Sequence, residues 1–267
     1  HTANLIQVKN LNLMIENGFW NQKHLVNVEW KKQHKEIKML TVAGLVPFTT
    51  IDFPDKLAAV VFFQGCPLRC PFCHNPNLQL TVSDDVINWD TVLSFLQERK
   101  KRLDGVVLSG GEPLMQPDIG IAVQQIKEMG FQVAIHTSGV YPNRLAQVIP
   151  HIDWVGLDVK APWEKYDLLT GRADLTENVQ KSLKILSDSS LDFEVRTTLD
   201  PRYLTIDDVY QIEKQLRMYR IPTYALQKYR TFDSDKNPPS QTAIDSFFEE
   251  NDLIDFLNSR FSKFICR

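Results

Sequence analysis

An α/β fold built on parallel strands is the architecture this sequence predicts, on three observations. From residue 57 onward, short runs of β-branched and aromatic residues alternate with stretches of helical period. That alternation repeats six times, which calls for parallel strands joined by right-handed crossovers. The glycine-rich, cysteine-rich and charged text falls just after the apolar runs, where parallel α/β folds build their sites. With 267 residues, 43% of them hydrophobic, the chain can bury a substantial core as one domain of barrel size.

Taken in order, strands are expected at 58–63, 105–108, 132–135, 154–159, 193–198 and 223–226. Helices are expected near 87–102, 117–129, 143–149, 176–188, 205–219 and 243–259. Six such units fit a partial barrel and an open doubly wound sheet alike, and periodicity does not choose between them. Residues 233–240, with Pro238-Pro239, read as a surface loop before the last helix. Residues 1–38 differ from the rest, passing through Asn-rich and Lys-rich text before Met39. They are expected to be an N-terminal extension, a polar tail or a partner-docking arm, with the catalytic domain running from 39 to 267.

The formal net charge of −3 gives no basic field for nucleic acid or an anionic membrane surface. No apolar run approaches the roughly 18 residues of a bilayer span, and no secretory signal pattern opens the chain. A cytoplasmic protein is expected. Of four cysteines, three fall within eight positions and the fourth, Cys266, is penultimate. A tight odd-numbered cluster of this kind reads as metal ligation or catalysis rather than a disulfide framework.

That cluster lies in Gly65-Cys66-Pro67-Leu68-Arg69-Cys70-Pro71-Phe72-Cys73-His74-Asn75-Pro76, directly after the first expected strand. Three thiolates on one short loop can wrap one face of an iron–sulfur cube and leave the fourth iron open to an exogenous ligand. The amino and carboxylate groups of S-adenosylmethionine could chelate there. Pro67 and Pro71 stiffen the loop, and Gly65 permits a sharp exit from the strand. The competing readings are a zinc site of Cys66, Cys70, Cys73 and His74, and an accidental grouping. Structural zinc usually shows two separated ligand pairs, and no second pair follows here.

Ser109-Gly110-Gly111-Glu112-Pro113 ends the second expected strand. Its glycines let backbone approach a ligand, and Glu112 with the exposed backbone could bind an ammonium group. A Gly-Gly turn before a helix is also common as plain structure. No Gly-x-Gly-x-x-Gly and no Walker A text occurs, which weighs against a dinucleotide or nucleoside-triphosphate enzyme. Three further polar groups close later strands: His136-Thr137-Ser138-Gly139, Asp158-Val159-Lys160 and Arg196-Thr197-Thr198. Asp158 and Lys160, two apart, share a face and can pair with each other or with a zwitterion. Arg196 suits a carboxylate, although a bridge to Glu194 on the same face accounts for it equally. His136 is the weakest candidate, readable as a satisfied strand-end histidine.

The Cys-x-x-x-Cys-x-aromatic-Cys spacing of Cys66, Cys70, Phe72 and Cys73 resembles the signature of the radical S-adenosylmethionine superfamily, and Gly110-Gly111-Glu112 resembles its aminomethionine-binding motif. Gly65-Cys66-Pro67-Leu68-Arg69-Cys70 with Cys73-His74-Asn75-Pro76 is similar to the glycyl-radical-enzyme activases, including the pyruvate formate-lyase activating type. Phe48-Thr49-Thr50-Ile51-Asp52-Phe53-Pro54-Asp55-Lys56, Lys165-Tyr166-Asp167-Leu168-Leu169-Thr170-Gly171 and Arg196-Thr197-Thr198 look like anaerobic ribonucleoside-triphosphate reductase activating proteins. The resemblance runs from residue 40 to about residue 230.

The resemblance implies a partial (β/α)6 TIM-like barrel, a [4Fe-4S] cluster on Cys66, Cys70 and Cys73, and S-adenosyl-L-methionine as cosubstrate. It implies cosubstrate-binding roles for Phe72, Gly110, Gly111, Glu112, Thr137, Asp158, Lys160 and Arg196. It further implies reduction by flavodoxin or ferredoxin, cleavage of the cosubstrate to methionine and a 5′-deoxyadenosyl radical, and hydrogen abstraction from a glycine of a partner. That partner is anaerobic ribonucleotide reductase by resemblance, with pyruvate formate-lyase or a small-molecule reaction of the deazapurine synthase kind as alternatives. The activases commonly carry Asp-Thr-Asn-Gly where this chain has His136-Thr137-Ser138-Gly139, so the acidic group for a monovalent cation is missing. Without cysteines between Cys73 and Cys266, one cluster is the limit.

Overall fold

The structure, a computed structural model, describes residues 40–231 and 235–267. The expected extension at 1–38 lies outside the described residues, as do the first two residues of the expected 233–240 loop. Two compact units make up the described chain. The first takes the residues up to Cys66 together with Asn77–His136 and Gln147–Trp154, and the second takes Pro67–Pro76, Thr137–Ala146 and Val155–Arg267.

In the first unit the strand order is β1 (Val42–Thr49), β2 (Ala58–Phe63), β3 (Gly105–Gly110), β4 (Gln132–Thr137). β2 and β3 run parallel with Ala58 opposite Gly105 and Phe63 opposite Gly110, and β3 and β4 continue in parallel. All six β2 residues are buried, as a strand covered on both faces requires. Alternation divides them. Ala58, Val60 and Phe62 join Val107, Ala134, Val46, Phe53 and Trp154 in one apolar cluster, while Phe63 turns the other way and stacks on Trp89, centroids 6.4 Å apart. Each such buried Val or Phe stabilises the fold by roughly 1.5–3 kcal/mol relative to exposure.

Trp89 opens α1 (Trp89–Arg99), whose first turn is capped by the Asn88 side chain accepting from Asp90 N at 2.8 Å. Its indole donates to Gln125 of α2 (Ile119–Glu128) at 2.7 Å, so the ring's one polar atom is satisfied within the apolar layer.

β1 was not among the expected strands. It pairs antiparallel with β2, with register shifts between Val42 and Gly44 and between Val46 and Thr49. Gly44 and Pro47 break the strand pattern in sequence, and both are tolerated because the strand stands at the end of the order, where bulges and proline are accommodated.

The second unit carries β5 (Trp154–Asp158), β6 (Phe193–Leu199), β7 (Thr223–Lys228) and β8 (Phe264–Cys266), all parallel. The six expected strands are therefore β2 to β7, each followed by helix, and the α/β class with parallel strands holds. After β4 comes α3 (Pro142–Val148). The unexpected α4 (Trp163–Thr170) ends on Gly171, whose φ of 64° is the left-handed cap that glycine supplies. α5 (Thr176–Asp188) and α6 (Ile206–Leu216) follow, the latter opened by a capping box between Thr205 and Asp208.

The single helix expected at 243–259 is two, α7 (Gln241–Glu249) and α8 (Asn251–Arg260), separated at Glu250, whose ψ of 88° leaves the helical region. β8 was also missed, being only three residues long. It pairs with β7 through Tyr224 opposite Phe264, and Tyr224, fully buried, stacks 4.5 Å from Phe261. Among the described residues no helix is long and apolar enough to cross a membrane.

Candidate active site

In the first unit the ends of β2 and β3 are fastened together before Cys66 is reached. Gly111 N donates to Phe63 O and Glu112 N to Gly65 O, both at 2.9 Å. A Cβ on Gly110 would lie 2.2 Å from Phe63 N, and one on Gly111 would lie 2.3 Å from Gly65 O. These two glycines are thus demanded first by the approach of one backbone to another. Glu112 is fully buried and its Oε1 accepts from Leu114 N at 3.0 Å, capping the short turn at 113–115.

Two glutamines that the sequence did not single out complete the arrangement. Gln64, the residue before Gly65, donates from Nε2 to Asn77 O and Leu80 O at 2.8 and 2.7 Å. Gln116 Nε2 donates to Gln64 O at 2.7 Å, while its Oε1 accepts from Thr41 N at 3.0 Å. Gly65 then leaves the strand at φ 97°, as expected of it.

In the second unit, residues 67–76 hold Cys70 and Cys73. Cys73 N donates to Cys70 O at 3.2 Å, closing a turn, and Arg69 N donates to Thr170 O of α4 at 2.7 Å. A side chain at Gly171 would press on Arg69 at 2.9 Å, so the glycine that caps α4 also admits the loop. Cys70 is buried, Cys66 and Cys73 are half-buried, and none of the four cysteines is in a disulfide. Phe72 is buried against Tyr203, centroids 6.2 Å apart.

Asp158 ends β5 opposite Arg196 of β6 and accepts from its Nε at 2.7 Å. Lys160, two residues beyond the strand's last, reaches the same carboxylate at 3.4 Å. The structure so brings together all three charged candidates of this unit. It corrects the alternative partner for Arg196: Glu194 pairs instead with Arg267. Two strand positions apart placed Glu194 and Arg196 on one face, but the register partner across the sheet is nearer in geometry than the neighbour along it.

Burial pushes the Cys70 thiol up from its ordinary value; the Lys160 ammonium pulls it down, and Cys73 and Asp158 push it up again. Burial holds the His74 imidazole below its ordinary value, assisted by Lys160 and Arg230. Lys160 is thus the cation that favours a Cys70 thiolate.

Thr137 Oγ1 accepts from Gly139 N at 3.0 Å, and Ser182 Oγ of α5 donates to Gly139 O at 2.5 Å, so this turn is held by one hydrogen bond of its own and one from the helix. His136, in the first unit, donates from Nε2 to Asp52 O at 2.8 Å and sets its edge on Trp154. It is the satisfied strand-end histidine that was the plainer of its two readings.

Among the described residues no three His, Cys, Asp or Glu side chains gather as a single metal ion would need. An iron–sulfur cube takes one thiolate per iron, so its ligands need not converge on a point. The donor set fits such a cluster: three thiols on one loop, with Lys160 acting on Cys70 to oppose the burden of its burial.

A family model described as the radical SAM superfamily matches residues 60–216. This chain belongs to the radical SAM superfamily. A provisionally named glycyl-radical enzyme activating enzyme of Methanocaldococcus jannaschii is 34% identical over 206 residues, covering 72% of this chain and 81% of that protein. The radical SAM chain accordingly falls in the family of glycyl-radical enzyme activating enzymes. It is also similar to the pyruvate formate-lyase-activating enzyme of Clostridium pasteurianum, 36% identical over 128 residues, or 46% of this chain and 53% of that enzyme.

Among solved structures, a radical SAM methyltransferase from Sphaerobacter thermophilus gives a TM-score of 0.62 at 15% identity, over 98% of this chain and 84% of that one. Streptococcus suis SuiB, bound to S-adenosylmethionine, gives 0.59 at 15% identity, over 76% and 48%. The chain spans about half the length of SuiB and of the Clostridium enzyme. These structural likenesses show the fold. The cofactors of a radical SAM enzyme are a [4Fe-4S] cluster and S-adenosylmethionine, and they are the cofactors of this one.

Proposed function

We propose that this radical SAM enzyme installs a glycyl radical on anaerobic ribonucleoside-triphosphate reductase. The observation that carries the activase reading is the loop of Cys66, Cys70 and Cys73 in a chain 34% identical to a relative named for glycyl-radical enzyme activation. The choice of reductase rests on the text at 48–56, 165–171 and 196–198.

Cys66, Cys70 and Cys73 are assigned the cluster. A cluster bound there would supply the electron, donated by flavodoxin or ferredoxin, for reductive cleavage of the cosubstrate. The chain's own residues bind, orient and shield. Lys160 and Arg196 offer cationic groups to the cosubstrate's carboxylate, and Asp158 fixes both. Glu112, which is buried and caps Leu114, is assigned with Gly110 and Gly111 to the cosubstrate's amino group. Thr137 supports its turn, and Phe72 supplies an apolar wall. A catalytic domain running from 39 to 267 and a cytoplasmic location complete the reading.

The test is to mix the reduced, reconstituted protein and S-adenosylmethionine with the candidate reductase and to look for a glycyl radical by EPR. A glycine-centred doublet on the reductase is the expected result. A doublet only on pyruvate formate-lyase, whose activating enzymes are also relatives, would move the partner assignment. Cosubstrate cleavage with no protein radical on either would favour a small-molecule substrate.

A further inference from the structure

The turn after β6 carries a charged and aromatic assembly that the proposed reaction does not use. Asp200 follows the strand and is fully buried. Arg202 Nε donates to both of its carboxylate oxygens, at 2.9 and 3.1 Å, and Nη2 donates to Oδ2 at 2.5 Å. The remaining arm, Nη1, donates to Asp235 Oδ1 at 2.9 Å and to Asn237 O at 2.7 Å. The guanidinium is therefore fixed from two sides in its own plane.

Two rings use that fixed cation. Tyr203 lies 5.4 Å and Tyr229 4.9 Å from the guanidinium carbon, within cation–π range. The Tyr229 hydroxyl also donates to Asp235, which the same arginine holds. Beyond the arginine, Tyr203 meets Phe72 and Tyr229 stacks on His74, with centroids 6.2 and 5.5 Å apart. Phe72 and His74 are the two residues on either side of Cys73.

We propose that Arg202 is a positioning residue for Cys73, acting through Tyr203 on Phe72 and through Tyr229 on His74. The inference rests on the reading that Cys73 ligates the cluster. A rigid guanidinium fork, pre-organised by Asp200, holds both rings in place and so pins the loop on each side of the thiol. A metal ligand is only as well placed as the groups behind it, and removing such support commonly costs 10–100-fold in affinity. The plainer account is an ion-pair clamp that ties the turn at 200–203 to residues 235–237 and has no bearing on the thiol.

Iron release separates the two. The anaerobically reconstituted full chain is mixed with an iron(II) chelator and the loss of iron is timed, and the thermal midpoint of each cluster-free protein is recorded alongside. Arg202→Met is expected to speed iron release about tenfold or more. Arg202→Lys, which keeps a cation near the rings without the fork, is expected to lie between it and the unaltered protein. Arg217→Met, which breaks an ion pair with Glu213 in α6, is the control and is expected to release iron at the unaltered rate.

Should Arg202→Met fail to fold, Tyr229→Leu removes the ring between Arg202 and His74 while leaving the Asp200 fork, and it too should speed release. Unaltered release from Arg202→Met or Tyr229→Leu, or equal acceleration by Arg217→Met, overturns the proposal. Full iron content in Cys73→Ala overturns the underlying ligand assignment instead.

Discussion

Arg196 Nε and Asp158 Oδ1 meet at 2.7 Å across register-paired positions of neighbouring parallel strands. The arginine is buried, with 7% of its side chain exposed, while a third of the aspartate side chain reaches solvent. The pair therefore ties the carboxyl end of β5 to the middle of β6 while part of the carboxylate stays exposed to solvent, and Lys160 adds its ammonium there.

Arg196→Met should destabilise the cluster-free protein by about 1–2 kcal/mol, a modest loss because the exposed edge of Asp158 keeps water. Arg196→Lys should recover only part of it, since an ammonium cannot reproduce the planar donor. Urea unfolding midpoints check both. Equal stability of the Met variant and the unaltered protein would show the pair to be idle in the fold.

Gly110→Ala should cost about 3 kcal/mol or more, combining a strained left-handed backbone with overlap on Phe63. Gly120→Ala should do the opposite. That glycine sits in α2 with nothing within 4 Å of the place an added Cβ would take, so alanine is expected to stabilise by about 0.5–1 kcal/mol. Thermal midpoints of the two cluster-free variants should move in opposite directions.

Alanine at Cys66, Cys70 or Cys73 should each abolish stable iron and sulfide uptake on anaerobic reconstitution. Cys266→Ser should leave uptake unchanged, because Cys266 closes β8 as an exposed residue. Iron and sulfide assays with the visible absorption spectrum decide it.

Acid should release the junction of α6 and α8. Burial pushes the Glu213 carboxyl up, but hydrogen bonds from Arg217 and Arg260 outweigh it and hold it below its ordinary value. A carboxyl depressed in the folded state adds stability above its unfolded value, near 4.3, and loses it as pH falls through the folded value. Glu213→Gln should therefore lower stability at pH 7 by about 1–3 kcal/mol and flatten its decline below pH 5. Denaturant midpoints from pH 3 to 7 for both proteins test the sign.

The parallel strands were legible because burial on both faces writes itself as unbroken apolar text, as in Ala58-Ala59-Val60-Val61-Phe62-Phe63. β1 hid behind Gly44 and Pro47, residues that make sense only once its place at the end of the strand order is known. α7 and α8 merged in the reading because apolar period continues across Glu250, where a backbone turn leaves no mark on composition.

At the candidate site the grouping of Cys66, Cys70 and Cys73 after β2, outside any disulfide, was legible from spacing alone. The partner of Arg196 was not, since pairing across strands depends on register, and the sequence offered Glu194 just as readily. Gln64 and Gln116 were invisible for a similar reason: they lie 52 residues apart and carry no charge to attract notice.

Those two amides have a bearing on how the cysteine loop begins. The carbonyl of Gln64 and both backbone oxygens that its side chain reaches are satisfied by neutral groups. An amide does not titrate, and its hydrogen bonds do not change sign when an electron or a proton arrives nearby. The root of the loop is thus anchored by groups indifferent to the charge state of whatever the thiols hold, and a change of oxidation state would leave the strand exit where it is.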